Sequence, residues 1–105
     1  MNEELRFFIA FSDGLTVMQK RNRSMATLGE FFSGRTVECL TGSQKRPGVV
    51  FAGVAFDGGY RTQDGGRTWE KIMNGDVRAF AIDPNDDRVV YLGTGPVRLY
   101  RSEDG

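Results

Sequence analysis

The sequence predicts an all-β chain of short antiparallel strands, and three observations carry that expectation. The 105 residues include 14 Gly and 12 aromatic side chains, with no run of Leu, Ala, Glu or Lys at helical spacing, a composition that favours strands joined by tight turns. Apolar stretches are short and bounded by Gly, Pro, Asn or Asp. The chain also repeats itself. Val49-Val50-Phe51-Ala52-Gly53 aligns with Val89-Val90-Tyr91-Leu92-Gly93, and the same 40-residue offset pairs Tyr60-Arg61-Thr62-Gln63-Asp64-Gly65 with Tyr100-Arg101-Ser102-Glu103-Asp104-Gly105.

Upstream, Val37, Cys39 and Thr41 stand over Val77, Ala79 and Ala81 at that offset, so each unit opens with an alternating strand that precedes the apolar one. A period near 40 lies in the range of four-stranded propeller blades. A third, worn copy is placed at the N-terminus, with Phe7 to Phe11 as the apolar strand, Leu15 to Met18 as the next and Ala26 to Phe32 as the outermost.

Ten strands are expected, at 5–11, 15–19, 25–32, 36–41, 48–54, 58–62, 67–72, 77–82, 88–94 and 97–102. The first three make a degenerate blade over 1–35 that lacks its inner strand. The next four make a complete blade over 36–75, and the last three a blade over 76–105 without its outer strand. Val89 to Leu92 is apolar at every position, which calls for cover on both faces, whereas Thr68 to Ile72 alternates and can face water on one side. Asp83-Pro84-Asn85-Asp86 places Pro at the second position of a type I turn, and Asn74-Gly75 offers the positive φ of a tight turn. Consecutive strands are therefore expected to be antiparallel neighbours.

Thr62-Gln63-Asp64-Gly65-Gly66-Arg67-Thr68-Trp69 reads S/T-x-D-x-G-x-T-W between two of these strands. A carboxylate at Asp64 can accept several N–H groups of a turn, Gly66 can take positive φ, and Trp69 can bury its ring beneath. The pattern resembles the Asp-box of BNR-repeat, sialidase-like β-propellers, where the motif closes the turn between the third and fourth strands of a blade on the outer rim, away from the axial face that binds ligands. The resemblance implies about two and a half blades in this chain. It implies structural rather than catalytic roles for Thr62, Asp64, Gly66, Thr68 and Trp69, and for a second box represented by Ser102 and Asp104. The N-terminal unit keeps only Thr27-Leu28 as an echo of Thr68-Trp69.

Charge and composition narrow the function. Fourteen Lys plus Arg balance 14 Asp plus Glu, so no net field draws the chain to nucleic acid or to an anionic membrane, and neither partner is expected. The absence of histidine removes the commonest metal ligand and general base, and with it any Ser-His-Asp or Cys-His arrangement within the chain. Cys39, single and in a strand, reads as a small buried apolar residue that suits a reducing compartment. The acidic N-terminus and the short Leu5 to Phe11 stretch match neither a signal core nor a span, so a cytoplasmic location is expected. Asn22-Arg23-Ser24 matches a glycosylation sequon but falls in a polar turn with no export signal.

Asp83, Asn85 and Asp87 mimic half a calcium loop, yet Arg88 stands where that loop needs Gly, and Thr94 rather than Glu falls at its twelfth position. Gly58-Gly59 and Gly93-Thr94-Gly95 precede no helix that could bind phosphate and read as strand exits and turns. Lys20-Arg21-Asn22-Arg23 and Gln44-Lys45-Arg46 read as solvated basic loops. No metal, cofactor or catalytic residue is expected.

Sialidases of the resembled family work with an arginine triad, a tyrosine nucleophile with a glutamate partner, and an acidic aspartate spread over several blades. Tyr60, Tyr100, Arg61 and Arg101 occupy equivalent repeat positions here and do not form a unique cluster. The expected function is a non-catalytic propeller scaffold or interaction module, with a fragment of a carbohydrate-active glycosidase as the alternative. A propeller closes on roughly four to eight blades, so further copies of the chain or the rest of a longer one are expected partners, with a protein or a carbohydrate as candidate ligand. The two units diverge most where Ala55-Phe56-Asp57 stands against Gly95-Pro96-Val97. That break, between the strand ends Gly53–Phe56 and Thr94–Val97, makes Phe56, Asp57 and Pro96 the candidate binding loop.

Overall fold

The computed structural model describes residues 4–105. The chain is all-β, with no helix among the described residues. Its strands are β1 Glu4–Phe11, β2 Gly14–Arg21, β3 Ser24–Phe31, β4 Val37–Gly42, β5 Val50–Val54, β6 Asp57–Thr62, β7 Glu70–Ile82, β8 Val90–Gly95 and β9 Arg98–Ser102. β1–β3 form a three-stranded antiparallel meander, and β4–β9 form a six-stranded antiparallel sheet in chain order that curls into a half-barrel.

One expectation fails at the centre of the larger sheet. The segments 67–72 and 77–82 are not two strands across an Asn74-Gly75 turn but parts of one 13-residue strand, β7. Its first half pairs with β6 as far as Gly75, and its second half pairs with β8 from Asp76 onward. Gly75 holds φ at 120°, a conformation open to glycine, so the strand changes partners there without reversing. The start also moves, from 67 to Glu70, because Asp64 ties the amides of Arg67 and Thr68 into the preceding loop.

The 40-residue repeat persists in the hydrogen-bond register. β5 pairs with β6 as Val50↔Thr62, Phe51↔Arg61, Ala52↔Tyr60, Gly53↔Gly59 and Val54↔Gly58. β8 pairs with β9 as Val90↔Ser102, Tyr91↔Arg101, Leu92↔Tyr100, Gly93↔Leu99 and Thr94↔Arg98. The β4–β5 and β7–β8 ladders also agree, down to a bulge between Val37 and Cys39 in one and between Val77 and Ala79 in the other. Loop bonds repeat likewise: Ser43 N–H to Val49 O and Asp83 N–H to Val89 O, Val49 N–H to Arg46 O and Val89 N–H to Asp86 O.

Strand period two explains the layering, since alternate residues of β5 serve two different cores. Phe51, with Val49, meets Val77, Phe80, Val90 and Leu92 inside the curl. Ala52 and Val54, with Val37, meet Leu15 and Val17 of the small sheet, where Phe8, Phe31, Phe32, Tyr60 and Trp69 pack around them. β5 is consequently buried at every position. Its counterpart departs from the expectation of cover on both faces: Val89, Val90 and Leu92 are buried, but Tyr91 turns outward and stays half-exposed, because its side of β8 has no facing sheet among the described residues. No helix among the described residues is long and apolar enough to cross a membrane.

Candidate functional site

The eight residues from Thr62 to Trp69 fold around one carboxylate. Asp64 Oδ1 accepts the Arg67 N–H at 3.0 Å, the Thr68 N–H at 2.9 Å and the Thr62 hydroxyl at 2.8 Å, while Oδ2 accepts the Thr68 hydroxyl at 2.6 Å. Those donors, the Thr68 hydroxyl foremost, hold the Asp64 carboxyl far below the ordinary aspartate range. Thr62, fully buried, accepts the Gly66 N–H at 2.9 Å on the oxygen that donates to Asp64. Gly65 and Gly66 take φ of 75° and 93°, and a Cβ on Gly66 would lie 2.7 Å from the Phe8 ring, so only glycine lets this turn settle on the small sheet. Trp69 follows with its ring 6.2 Å from Phe8, 6.2 Å from Phe31 and 5.6 Å from Phe32, centroid to centroid.

The second carboxylate turn repeats the first as far as it runs. Ser102 donates to Asp104 at 2.7 Å as Thr62 does to Asp64, and Gly105 takes φ of 75° as Gly65 does. The Gly65 N–H bonds Gly48 O, and the Gly105 N–H bonds Arg88 O. Each turn is also gripped by an arginine of the preceding layer, since Arg6 donates to Gly65 O at 2.6 Å and Arg61 donates to Gly105 O.

Phe56, Asp57 and Pro96 fall on the β5–β6 and β8–β9 turns. Phe56 is 79% exposed at φ 56°, a left-handed conformation unusual for a bulky residue. Asp76 holds it there: its buried carboxylate accepts the Phe56 N–H at 2.8 Å and Arg78 Nε at 2.8 Å, and the Phe56 amide bond draws its pKa down. The Asp76 backbone also pairs with Gly95 across the β7–β8 ladder, which places the residue that secures the β5–β6 turn next to the end of β8. The sequence reading missed Asp76. Its signal was an acid directly before the alternating apolar run at Val77.

Asp57 belongs to a separate cluster. It accepts Lys71 Nζ at 2.9 Å and the Tyr60 hydroxyl at 2.8 Å, and the lysine bond lowers its pKa. Burial first, and then this carboxylate, push the Tyr60 phenol up, the direction opposite to that of an activated nucleophile. Tyr100, the repeat counterpart of Tyr60, has Val97 at the sequence position where Tyr60 has Asp57, and it is 40% exposed.

Other candidates resolve into structure. Lys45 and Arg46 are not simply solvated: Arg46 Nε lies 2.7 Å from Asp87 Oδ2, which also accepts the Ser43 hydroxyl, and Lys45 donates to Asn85 O. The 43–48 and 83–88 loops are thereby latched together. Asp83 accepts the Asn85 and Asp86 amides while Asp87 faces Arg46, so the calcium-like acids aim at different partners. Asn22 supplies positive φ in the β2–β3 turn, and burial pushes the half-buried Cys39 thiol up. A feature the sequence did not announce is a cleft of about 600 Å³ beside β9, with Phe51, Met73, Leu92 and Tyr100 in its walls.

No protein-family model matches the chain, and no curated protein matches it.

Proposed function

We propose that this chain is a non-catalytic scaffold or interaction module built from Asp-box β-propeller blades, completed by self-assembly or by the rest of a longer chain. The observation that carries this reading is the repetition, at 40 residues, of both ladder registers together with their bulges and the carboxylate turn. Further support comes from the layers, since β5 is shared between two cores as a blade between neighbours would be. The flat outline fits as well: Cα extents of 44 × 34 × 16 Å give a slab about as thick as one five-residue strand is long.

The glycosidase alternative has less behind it. The tyrosine placed beside a carboxylate, Tyr60, has its phenol pushed up, and Arg61 is taken by Glu70 and Gly105 O. The test is an assay of the purified chain against aryl glycosides, sialosides included, alongside mass determination by light scattering. The scaffold reading expects no turnover and an assembly heavier than 11.7 kDa. Turnover abolished by Tyr60→Phe would overturn it.

A further inference from the structure

We propose that Phe56, at the tip of the β5–β6 turn, anchors a docking surface for an acidic polypeptide segment, whose apolar side chains cover the ring and whose carboxylates meet Arg35 and Arg78. The inference rests on the interaction-module reading and gives it a partner chemistry. Two phenylalanines hold a left-handed backbone, Phe32 at φ 57° and Phe56 at φ 56°. Phe32 has a reason inside the fold, since its ring packs 4.6 Å from Tyr60 and 5.6 Å from Trp69, centroid to centroid. Phe56 has none: its ring belongs to neither core and is 79% exposed. Glycine would hold the same φ without a Cβ clash, so neither backbone nor packing calls for phenylalanine at 56. An aromatic kept under strain at the surface points to a contact made beyond the chain.

Two neighbouring segments fix the turn, and each carries an arginine. On the β5 side the Ala55 N–H bonds Thr36 O at 2.8 Å, and on the β6 side the buried Asp76 carboxylate accepts the Phe56 N–H at 2.8 Å. Arg35, next to Thr36, is exposed, and it adds to the larger effect of Lys71 in lowering the Asp57 pKa. Arg78 gives both Nε and Nη2 to Asp76 Oδ2 at 2.8 Å, yet 57% of its side chain stays in water. The two acids nearest Phe56 are instead spent inside the fold: Asp76 on the Phe56 amide and Arg78, Asp57 on Lys71 and the Tyr60 hydroxyl. What faces solvent is therefore a fixed ring flanked by guanidinium groups, side-chain types enriched at protein interfaces, and its complement carries carboxylates beside apolar groups. A bilayer fits less well. One phenyl ring with two cations falls short of the two anchoring signals that stable membrane binding takes, and a locked turn lowers the cost of ordering only against a partner of fixed shape. The whole surface is built from residues between 35 and 78, in the interior of the chain.

The test pans a displayed random dodecapeptide library on the full 105-residue chain, with the Phe56→Gly variant as counter-target. Recovered peptides are expected to combine Asp or Glu with Leu, Ile, Val or Met, and their synthetic copies to bind the unsubstituted chain one to one in fluorescence anisotropy. Phe56→Gly is expected to weaken that binding about tenfold or more, and Phe56→Leu, which keeps an apolar tip, about threefold. Arg35→Glu combined with Arg78→Gln is expected to weaken it about tenfold, and a rise in NaCl from about 50 to about 300 mM several-fold. Urea midpoints establish that each variant is folded in the assay, and Arg35→Glu alone, expected to cost about threefold, carries the charge test if Arg78→Gln disturbs Asp76. Recovery of no peptide that separates the two targets, recovery of peptides without acids, or binding indifferent to both salt and Arg35→Glu would each overturn the proposal. So would binding to vesicles of about 70:30 phosphatidylcholine and phosphatidylserine that Phe56→Gly abolishes, which puts the ring in a bilayer, or a fall in light-scattering mass on Phe56→Gly, which makes the occupant a second copy. Aryl-glycoside turnover removes the scaffold reading alone, and peptide binding then stands or falls by its own dependence on Phe56.

Discussion

The Thr62 hydroxyl is fully buried and accepts the Gly66 N–H, so its removal strands a buried donor and frees one lone pair of Asp64 at the same time. Thr62→Val, nearly isosteric, is expected to cost about 2 kcal/mol in urea unfolding, while Thr62→Ser keeps the bond and costs well under half of that. Phe56 gives the opposite sign. Its left-handed backbone carries a penalty that glycine escapes, so Phe56→Gly is expected to stabilise the fold by about 1 kcal/mol while stripping the most exposed aromatic from the β5–β6 turn. A gain in stability with loss of binding would mark Phe56 as a contact residue held under strain. The carboxylates set the pH dependence. Asp57, Asp64, Asp76 and Asp87 are all lowered from the unfolded aspartate value of 3.8, so between folded and unfolded pKa the unfolded chain binds more protons. Stability is therefore full above about pH 5 and falls as the pH drops below about 4. Urea midpoints at pH 6 and pH 3 check this, and Asp64→Asn is expected to flatten the slope between them.

Paired elements let the same substitution be read twice. A Cβ on Gly53 of β5 would sit 2.7 Å from both Cys39 Sγ and the Val77 carbonyl oxygen, whereas on Gly93 of β8 it would meet only Ala79 Cβ, at 3.8 Å. Gly53→Ala is thus expected to cost about 1–3 kcal/mol by forcing β5 away from β7, and Gly93→Ala to be neutral or to stabilise by up to about 1 kcal/mol, both measured by chemical denaturation. The contrast shows what the sequence could and could not convey. The offset that aligns Val49–Gly53 with Val89–Gly93 carries side-chain alternation and turn chemistry together, so strand identity and pairing order were legible from residues alone. The fusion of 67–72 and 77–82 into β7 was not, because Asn74-Gly75 permits a turn or a bend equally and the choice depends on β6 and β8, which are distant partners. The Asp64 donor set was half legible, as a motif with the acid at its centre. Asp76 and the Arg46–Asp87 latch were hidden because each joins residues from different units, and local spacing holds no trace of such a bond.

At the scale of the whole molecule the layers leave two different ends. On the small sheet the inward residues Phe8, Leu15, Val17 and Phe31 are committed to a core, but the opposite face of β1 presents Leu5, Phe7, Ile9 and Phe11 at 38–52% exposure, with Met25 at 50% beside them. On the far side, Leu99 is 74% exposed and Tyr91 faces outward. An apolar stripe of this length on a sheet is a surface that association covers, and its cost to solubility grows with concentration. The chain is therefore expected to show, in multi-angle light scattering, a mean mass above 11.7 kDa that rises with concentration. Phe7 lies opposite Met18 on the outward face and takes no part in either core, so Phe7→Glu is expected to return the mass to that of one chain while the far-ultraviolet β signal is retained. Salt supplies the control. Uncharged faces should hold together or tighten in 1 M sodium sulfate, whereas an association carried by the basic loops should weaken. If the unsubstituted chain stays monomeric across that range, the β1 face is simply tolerated in water and the layers need no partner.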